Sequence, residues 1–385
     1  MLDLSVPLSR REAHGRGEAV CTASARTEAA PTRQIAHPDA RDRGIDHQAV
    51  SARPVPGSEF LGPGGTLSLV WAAMQLDGIH HVTCITADAP RNVDFYTRVL
   101  GLRLVKKTVN QDDPTVYHLF YADEAGTPGS DITFFEYPGI RRGRAGAGMV
   151  HTVGWRLDSD DALDFWFERL GQETDLLVRD QSGVTFEDPE GLRHHLAVST
   201  VEDTPLIAEH PEISAEHALH GFDGVRAFAT DPSASRRLLE DTLGFVESNP
   251  TDPTPVWEAR GPTRGGLYVY DESPAERGLG GAGTVHHVAW SSTMEDHAAW
   301  HERVVMAGMR PSPIIDRFWF RSIYFREPNG ILFEIATLGP GFSLDENPEH
   351  LGETLILPPA FEHLRDQVEP ILTPLPDSRP WARAG

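Results

Sequence analysis

The chain has 385 residues and a formal charge of −23, with 57 acidic side chains against 34 lysines and arginines. This length allows two or three domains with a large core, and the acidity argues against nucleic acid or an anionic membrane surface as a partner. No apolar run approaches the length of a membrane span, and the two cysteines, Cys21 and Cys84, indicate a reducing, cytoplasmic compartment without a disulfide framework.

Residues 1–75 differ in composition from the rest of the chain. Their only aromatic side chains are Phe60 and Trp71, and stretches such as 52–57 cannot supply a core. We predict that this extension is disordered. Met74 directly precedes the first predicted strand, so a translation start at Met74 is an equally good interpretation of the same segment.

From residue 76 onward one pattern of elements recurs four times. Each unit begins with a short strand, continues with an amphipathic helix that ends at a glycine, and closes with three more strands. The opening strands are predicted at 79–83, 150–155, 221–225 and 285–290, and the helices at 92–100, 162–170, 236–243 and 296–306. Left-handed helix ends are expected at Gly101, Gly171, Gly244 and Gly308. The predicted fold class is α+β, with four βαβββ modules.

The modules are expected to form two domains, each with a cupped sheet. We predict that modules one and two occupy 76–200, that 201–218 is a linker, and that modules three and four occupy 219–340. The remaining segment, 341–385, is expected to be a tail that packs on these domains.

Paired histidines stand in two of the opening strands, His80-His81 and His286-His287. Because side chains alternate across a strand, the second histidine of each pair shares a face with smaller or more polar residues, as in a pocket wall. The first histidine shares a face with bulky apolar residues, which is typical of a core. The alternation therefore selects His81 and His287 as candidate ligands.

The last module supplies a carboxylate. Residues 327–330, Glu-Pro-Asn-Gly, predict a three-residue hairpin loop made of a type I turn and a bulge glycine. Counting outward from Asn329 places Tyr324 opposite Glu334, with about 5 Å between their Cβ atoms. Two histidines and a glutamate are the ligand set of a facial triad for non-haem Fe(II), and the same hard ligands also hold Mn(II).

Seven stretches together resemble a known family. They are 78–83, 94–106, 117–129, 216–218, 283–290, 317–334 and the tail segment 341–353. Residues 76–372 thereby resemble the vicinal-oxygen-chelate superfamily, and within it the ring-cleaving dioxygenases of the hydroquinone 1,2-dioxygenase type. The resemblance implies His81, His287 and Glu334 as iron ligands. It implies a hydroquinone- or catechol-like aromatic substrate into which both atoms of O2 are incorporated, and it is compatible with a homo-oligomer.

The resemblance also implies roles for five residues around the metal: His80, Thr83, His286, Arg317 and Tyr324. Tyr324 would hydrogen-bond a substrate oxygen, a histidine beside the metal would move its proton, and Arg317 would stabilise an anionic intermediate. Strand alternation conflicts with this for His80 and His286, because it places both on the core face. For Arg317, an ion pair with Asp316 or another acid is the competing interpretation.

Two other functions stay open on the sequence. A glyoxalase-type isomerase would use Glu136, on the closing strand of the first module, as a fourth ligand, although we expect this residue to be a solvated acid at a strand end. A small-molecule-binding module would need no metal. The aromatic run Phe318-Trp319-Phe320 predicts an aromatic-lined pocket in any of these cases.

A second complete site is not expected in the middle modules. Thr152 and Asp223 are predicted at the positions of the ligand histidines, and His195 at the position of Glu334. His194 and His195 are therefore expected to be packing or surface residues.

Overall fold

The computed structural model describes residues 74–248 and 254–381. The disorder predicted for the N-terminal extension, and the alternative start, concern residues 1–73 and lie outside this range. The described residues belong to one compact unit. None of the helices in these two ranges combines the length and the apolar character of a membrane span.

The predicted βαβββ order is confirmed in all four modules. Module one contains β1 (Ile79–Thr86), a helix (Ala89–Asp94) continued by a π-helical turn (Phe95–Val99), β2 (Arg103–Asn110), β3 (Asp113–Ala122) and β4 (Asp131–Glu136). Module two contains β5 (Met149–Leu157), a helix (Asp160–Leu170), β6 (Leu177–Asp180), β7 (Gly183–Glu187) and β8 (Arg193–Val198).

The later modules repeat the same order. Module three contains β9 (Phe222–Ala229), a helix (Ser233–Arg237) continued by a π-helical turn (Leu238–Thr242), β10 (Val246–Glu247), β11 (Val256–Arg260) and β12 (Gly265–Glu272). Module four contains β13 (Thr284–Ser292), a helix (His297–Met306), β14 (Ile315–Asp316), β15 (Arg321–Arg326) and β16 (Leu332–Thr337). The C-terminal segment forms short 3-10 turns (Phe342–Leu344, Pro348–His350, Glu362–Leu364, Glu369–Ile371) and one helix (Arg365–Val368).

The glycines after the helices behave alike in three modules out of four. Gly101, Gly244 and Gly308 have φ angles of 71°, 73° and 83°, as the left-handed helix end requires. The same prediction is wrong for Gly171, whose φ is −59°. Its backbone N–H donates to the carbonyl of Glu168, so that helix ends in a tightened right-handed turn instead.

Two curled eight-stranded sheets join modules that are distant in sequence. The first sheet has the order β14-β15-β16-β13-β1-β4-β3-β2 and combines modules one and four. The second has the order β10-β11-β12-β9-β5-β8-β7-β6 and combines modules two and three. The sheets thus group the modules differently from the predicted segments 76–200 and 219–340, and the limits at 201–218 stay a prediction. A repeat in the sequence defines each module but not its partner, because the partner is set by antiparallel pairing of the central strands, β1 with β13 and β5 with β9.

A buried polar chain links module one to module two. Trp155 donates from Nε1 to Nδ1 of His194. Because Nδ1 accepts, the proton of this neutral histidine is on Nε2. His194 then donates from Nε2 to the Tyr96 hydroxyl at 2.9 Å, and Tyr96 donates to Asp188 at 3.1 Å. His194 is thus a fully buried packing residue, one of the two locations expected for it.

The C-terminal segment packs against the first sheet. Phe342 and Leu351 contribute to an apolar cluster with Val105 of β2 and with Trp319. Lys106 is buried beneath them, forms ion pairs with Asp345 and Glu346, and lies 4.9 Å from the ring of Trp319. This contact holds the loop before β15, which forms part of the pocket described next.

Candidate metal centre and its pocket

Three neighbouring strands of the first sheet bring His81, His287 and Glu334 together. These residues lie on β1, β13 and β16, and all three are buried. The Nε2 atoms of the histidines are 3.2 Å apart. Oε2 of Glu334 lies 3.1 Å from Nε2 of His81 and 2.9 Å from Nε2 of His287. The three residues selected by alternation and by the hairpin count therefore form one cluster.

The spacing of this cluster fits a cation. Ligand atoms at about 2.1 Å from a metal and at right angles to one another are about 3 Å apart. Both carboxylate oxygens of Glu334 are sealed from solvent, and neither has a partner in hydrogen-bond geometry despite the nearby nitrogens. Burial raises the pKa of Glu334, but the two histidines outweigh it and hold the pKa well below its usual range. A buried, ionised and unsatisfied carboxylate is costly unless a cation compensates it.

His80 and His286 lie behind the candidate ligands rather than in the core. Between the pairs Ile79–Trp290 and His81–Ala289 the register shifts by one residue, which makes His80 the extra residue of a β-bulge. The shift between Thr83–His287 and Cys84–Val285 does the same for His286. The core-face prediction for both is therefore wrong, because strict alternation does not hold through a bulge.

The bulges place the imidazole of a neighbouring histidine against Nδ1 of each candidate ligand. Nδ1 of His80 lies 2.9 Å from Nδ1 of His81, and Nε2 of His80 lies 3.0 Å from the carbonyl of Thr337. A carbonyl only accepts, so His80 carries its proton on Nε2 and accepts at Nδ1 from His81. In a neutral His81 ring, which is the form that binds a metal, the Nε2 lone pair then points into the cluster. Nδ1 of His286 and Nδ1 of His287 are 2.8 Å apart in the equivalent place.

The hairpin prediction is confirmed. Glu327 donates from its backbone N–H to Ile331, Gly330 has a φ of 100°, and Tyr324 pairs with Glu334 across β15 and β16. The ring of Tyr324 packs edge-on against His287 at 5.5 Å. Burial, and then the charge of Glu334, raise the pKa of Tyr324 above its usual value, so its hydroxyl is protonated at neutral pH.

Arg317 lies at the pocket and also forms the ion pair of the competing interpretation. Its guanidinium lies 5.5 Å above the Tyr324 ring and binds both oxygens of Asp112, at 3.2 and 2.8 Å. Asp316 is not its partner and accepts instead from the N–H of Phe318. Asp112 follows β2 whereas Arg317 follows β14, and these are the two edge strands of the first sheet. The ion pair therefore connects the two edges of the curled sheet at the pocket.

The pocket has about 380 Å³ of space between atoms, including open solvent at its mouth. Trp319 and Phe320 line it, as predicted, whereas Phe318 is not part of the lining and packs on Trp319. The other residues in the lining are His81, His287, Tyr324, Arg317, Asn110, Gln111, Asp112, His118, Phe120 and Phe135. The pocket therefore combines an aromatic wall with the metal cluster.

Sequence reasoning missed His118 and Thr133. Nε2 of His118 lies 2.9 Å from Oγ1 of Thr133, which lies 2.8 Å from Oγ1 of Thr83. Thr83 is paired with His287 in the sheet, so this chain of contacts ends beside the cluster. Alternation along β3 could have indicated His118, because it shares a face with Phe120.

Glu136 takes no part in the cluster. It lies opposite Thr86 on β1, five residues beyond His81, and accepts from the N–H of Ala89 and the hydroxyl of Thr373. It is also buried, so the prediction of a solvated acid is wrong. The position that corresponds to Glu334 in module one is Thr133.

The second sheet contains the corresponding strands without the ligands. The register of β5 and β9 has the same two shifts, which make His151 and Asp223 the bulge residues. Gly224 therefore occupies the place of His287, and the prediction of Asp223 at that place is wrong by one residue. His195 contacts Thr185 and the carbonyl of Ser182. The described ranges contain no second group of three His, Cys, Asp or Glu side chains with metal-ligand spacing.

A comparison of the sequence with models of known protein families gives a match over both sheets. The family model described as the Glyoxalase/Bleomycin resistance protein/Dioxygenase superfamily matches residues 78–196 and 221–335. The chain belongs to this superfamily, and the resemblance inferred from the motifs is confirmed.

Several individual relatives carry names of ring-cleaving dioxygenases. A protein of Bacillus subtilis named "Putative ring-cleaving dioxygenase MhqA" is 38% identical over 317 residues, which are 78% of this chain and 100% of that protein. The "Chlorohydroquinone/hydroquinone 1,2-dioxygenase" of Sphingobium indicum is 30% identical over 325 residues, covering 76% of this chain and 95% of that protein. A crystal structure of a dioxygenase of Bacillus subtilis, described as putative, has a TM-score of 0.74 at 37% identity and covers 79% of this chain and 99% of that one.

Proposed function

We propose that the chain is an Fe(II)-dependent, ring-cleaving dioxygenase of the extradiol type that acts with O2 on hydroquinone- or catechol-like aromatics. The observation that carries this proposal is the cluster of His81, His287 and Glu334. Its three donor atoms lie 2.9 to 3.2 Å apart at the floor of an aromatic-lined pocket. The two cysteines of the whole sequence favour a cytoplasmic location.

The donor set supports the choice of metal. Two imidazoles and one carboxylate on one side of a cation are the ligand set of non-haem Fe(II) oxygenases, and Mn(II) is the alternative that accepts the same ligands. Held by His81, His287 and Glu334, such a metal would supply redox chemistry between an aromatic substrate and O2. The neutral donors and the single carboxylate leave a net positive charge, which favours the anionic form of a phenol.

The remaining side chains act on the substrate. Tyr324 is protonated and faces Glu334, so it can donate a hydrogen bond to an oxygen bound above the cluster. Arg317 adds a positive charge beside this hydroxyl and is held in place by Asp112. Both are suited to stabilise negative charge that develops during ring opening. His80 and His286 orient the candidate ligands through their Nδ1 atoms.

The position of Glu136 separates this proposal from a glyoxalase-type isomerase. Strand residues advance about 3.3 Å each, so a side chain opposite Thr86 is more than 10 Å along the sheet from His81. Its oxygens are also held by Ala89 and Thr373. A four-ligand site with Glu136 would require β4 to slide along β1.

Anaerobic reconstitution tests the proposal. Protein loaded with Fe(II) under argon is mixed with hydroquinone or catechol in oxygenated buffer, and oxygen uptake is followed. We expect one O2 consumed per ring opened and, with ¹⁸O2, a product that carries two labelled oxygen atoms. Loading with Fe(II) that supports no uptake on either substrate would refute the proposal.

A further inference from the structure

His118 is a polar side chain in an otherwise apolar part of the pocket wall. Its ring lies 3.9 Å from the ring of Phe120 and 4.4 Å from that of Phe135. All three side chains line the pocket. The two phenylalanines restrict the imidazole to one orientation.

The hydrogen bonds of His118 leave one nitrogen for a ligand. Nε2 is held by Thr133, which is held in turn by Thr83. Among the described residues Nδ1 has no hydrogen-bond partner, and it is not among the buried atoms sealed from solvent. Because the residue lines the cavity, Nδ1 opens into the pocket. Burial lowers the pKa of His118 well below its usual value, so the ring is neutral.

The polar groups at the mouth are already engaged with protein partners. Asn110 donates to the Tyr137 hydroxyl and accepts from Asp112, while Gln111 donates to the carbonyl of Arg317. Asp112 binds Arg317. A ligand hydroxyl held between Phe120 and Phe135 would find its partner at His118.

The position of His118 in the sheet sets the size of the ligand. β1, β4 and β3 are consecutive strands, and neighbouring strands are about 4.8 Å apart. The register places the backbone of His118 two strands across from β1 and level with Ile85, four residues along from His81. Its imidazole reaches back to Thr133, which is level with Thr83. Because His118 and the ligand histidines line one pocket, a ligand that contacts both needs polar atoms at opposite ends of its ring.

We propose that Nδ1 of His118 binds the distal hydroxyl of a 1,4-dihydroxybenzene and makes the pocket selective for hydroquinones over catechols. This inference deepens the proposed function. It takes from that function only that one hydroxyl of the substrate binds at the cluster. A hydroxyl suits this place because it can donate to the nitrogen or accept from it, whichever tautomer Thr133 stabilises. A 1,2-dihydroxybenzene has both oxygens at the cluster and presents only carbon to His118.

Equilibrium binding tests this without turnover. Hydroquinone, phenol and catechol are titrated into Fe(II)-loaded protein under argon, and the Kd of each is measured by calorimetry. His118→Phe keeps an aromatic ring and removes both nitrogens. We expect the Kd of hydroquinone to rise about tenfold, the typical effect of losing one hydrogen bond, with the Kd of phenol and of catechol unchanged. His118→Gln should recover part of the affinity for hydroquinone only.

Two further variants are measured in the same titrations. His195→Phe removes the histidine that contacts Thr185 in the second sheet and should change none of the three Kd values. If His118→Phe does not fold, Thr133→Val is used in its place. This variant retains His118 but removes the hydroxyl that holds its Nε2, and it should raise the Kd of hydroquinone alone. Equal losses for all three ligands, or no loss, would overturn the inference.

Oxygen uptake by the wild-type protein is measured separately. Uptake on hydroquinone without a His118-dependent preference leaves the proposed function standing and removes this inference. A His118-dependent preference in binding, without oxygen uptake on any ring, supports this inference and refutes the proposed function.

Discussion

His80 and His81 face each other through their Nδ1 atoms at 2.9 Å, although neighbours on a strand normally point to opposite faces. The bulge at His80 makes this contact possible, and a second bulge places His286 in the same way against His287 at 2.8 Å. Each candidate ligand thus has a ring nitrogen of its neighbour against its own Nδ1. His80 is the acceptor of its pair because its Nε2 donates to the carbonyl of Thr337, so a neutral His81 ring keeps its proton on Nδ1 and directs the Nε2 lone pair at the metal position.

Replacing either of these neighbouring histidines should weaken metal binding without abolishing it. For His80→Leu and for His286→Leu we expect the affinity for Fe(II) to fall by about 10- to 100-fold, the usual effect of removing an outer partner of a ligand histidine. Competition with a chelator under argon measures this. His151→Leu, at the equivalent bulge of the second sheet, should have wild-type affinity. Unchanged affinity in both His80 and His286 variants would mean that the two contacts do not orient the ligands.

Replacing any member of the cluster should remove the metal. His81→Ala, His287→Ala and Glu334→Ala are each expected to lose metal retention after gel filtration, while far-UV circular dichroism is unchanged because each module has its own helix and strands. The matched control is Glu136→Gln, which keeps full metal content if that acid is not a ligand. Metal content is measured by mass spectrometry. Full retention in any one of the three alanine variants would exclude that residue from the ligand set.

The sequence predicts local structure better than it predicts module pairing. The four modules, the hairpin register and the choice of His81, His287 and Glu334 as candidates follow from periodicities of a few residues. The two-sheet grouping does not, because antiparallel pairing of β1 with β13 depends on contacts about 200 residues apart.

Bulges account for most of the remaining errors. A bulge inserts one residue without a clear signal in the sequence, so alternation assigned the wrong face to His80 and His286 and the wrong residue, Asp223, to the second sheet. His118 was missed for a different reason. Its importance depends on Thr133, which lies on the neighbouring strand rather than nearby in the chain.

Tyr324→Phe should slow ring opening and leave the metal in place. The phenylalanine keeps the ring that packs on His287, so stability should change little. Losing a hydrogen bond to a developing anion costs about 2–4 kcal/mol, which corresponds to a fall in kcat of roughly 30- to 1000-fold. Single-turnover oxygen consumption measures the effect. Tyr117→Phe, which removes a hydroxyl outside the pocket lining, is the control. Wild-type turnover of the Tyr324 variant would show that its hydroxyl does not contact the reacting oxygen.

A second change in the same hairpin tests the register. One residue inserted after Gly330 moves Glu334 to the opposite face of β16, because side chains alternate along a strand. We expect the metal to be lost while the sheet persists. An insertion variant with full metal content would show that the loop absorbs the extra residue and that the register of Glu334 is not fixed by the turn.

The buried pair Asp188 and His194 should have opposite and nearly cancelling effects on stability between pH 4 and 6. Burial raises the pKa of Asp188 from 3.8 to about 6, so its contribution is present at low pH and is lost as pH rises through 6. Burial lowers the pKa of His194 from 6.5 to about 3, so its contribution is present above pH 6.5 and is lost as pH falls. In this window the folded chain holds one extra proton on Asp188 and lacks one on His194.

Single substitutions should therefore expose opposite slopes. In Asp188→Asn the unfolding free energy should rise with pH, relative to wild type, by up to about 1.4 kcal/mol per pH unit, because only the histidine remains. In His194→Gln it should fall with pH by a similar amount. Urea unfolding of the metal-free protein at pH 4.5 and pH 6 measures both slopes, and the double variant should return to the wild-type slope. Comparing slopes removes the constant loss of the Tyr96 and Trp155 hydrogen bonds in each variant. Four parallel pH dependences would show that neither buried group changes its protonation on folding.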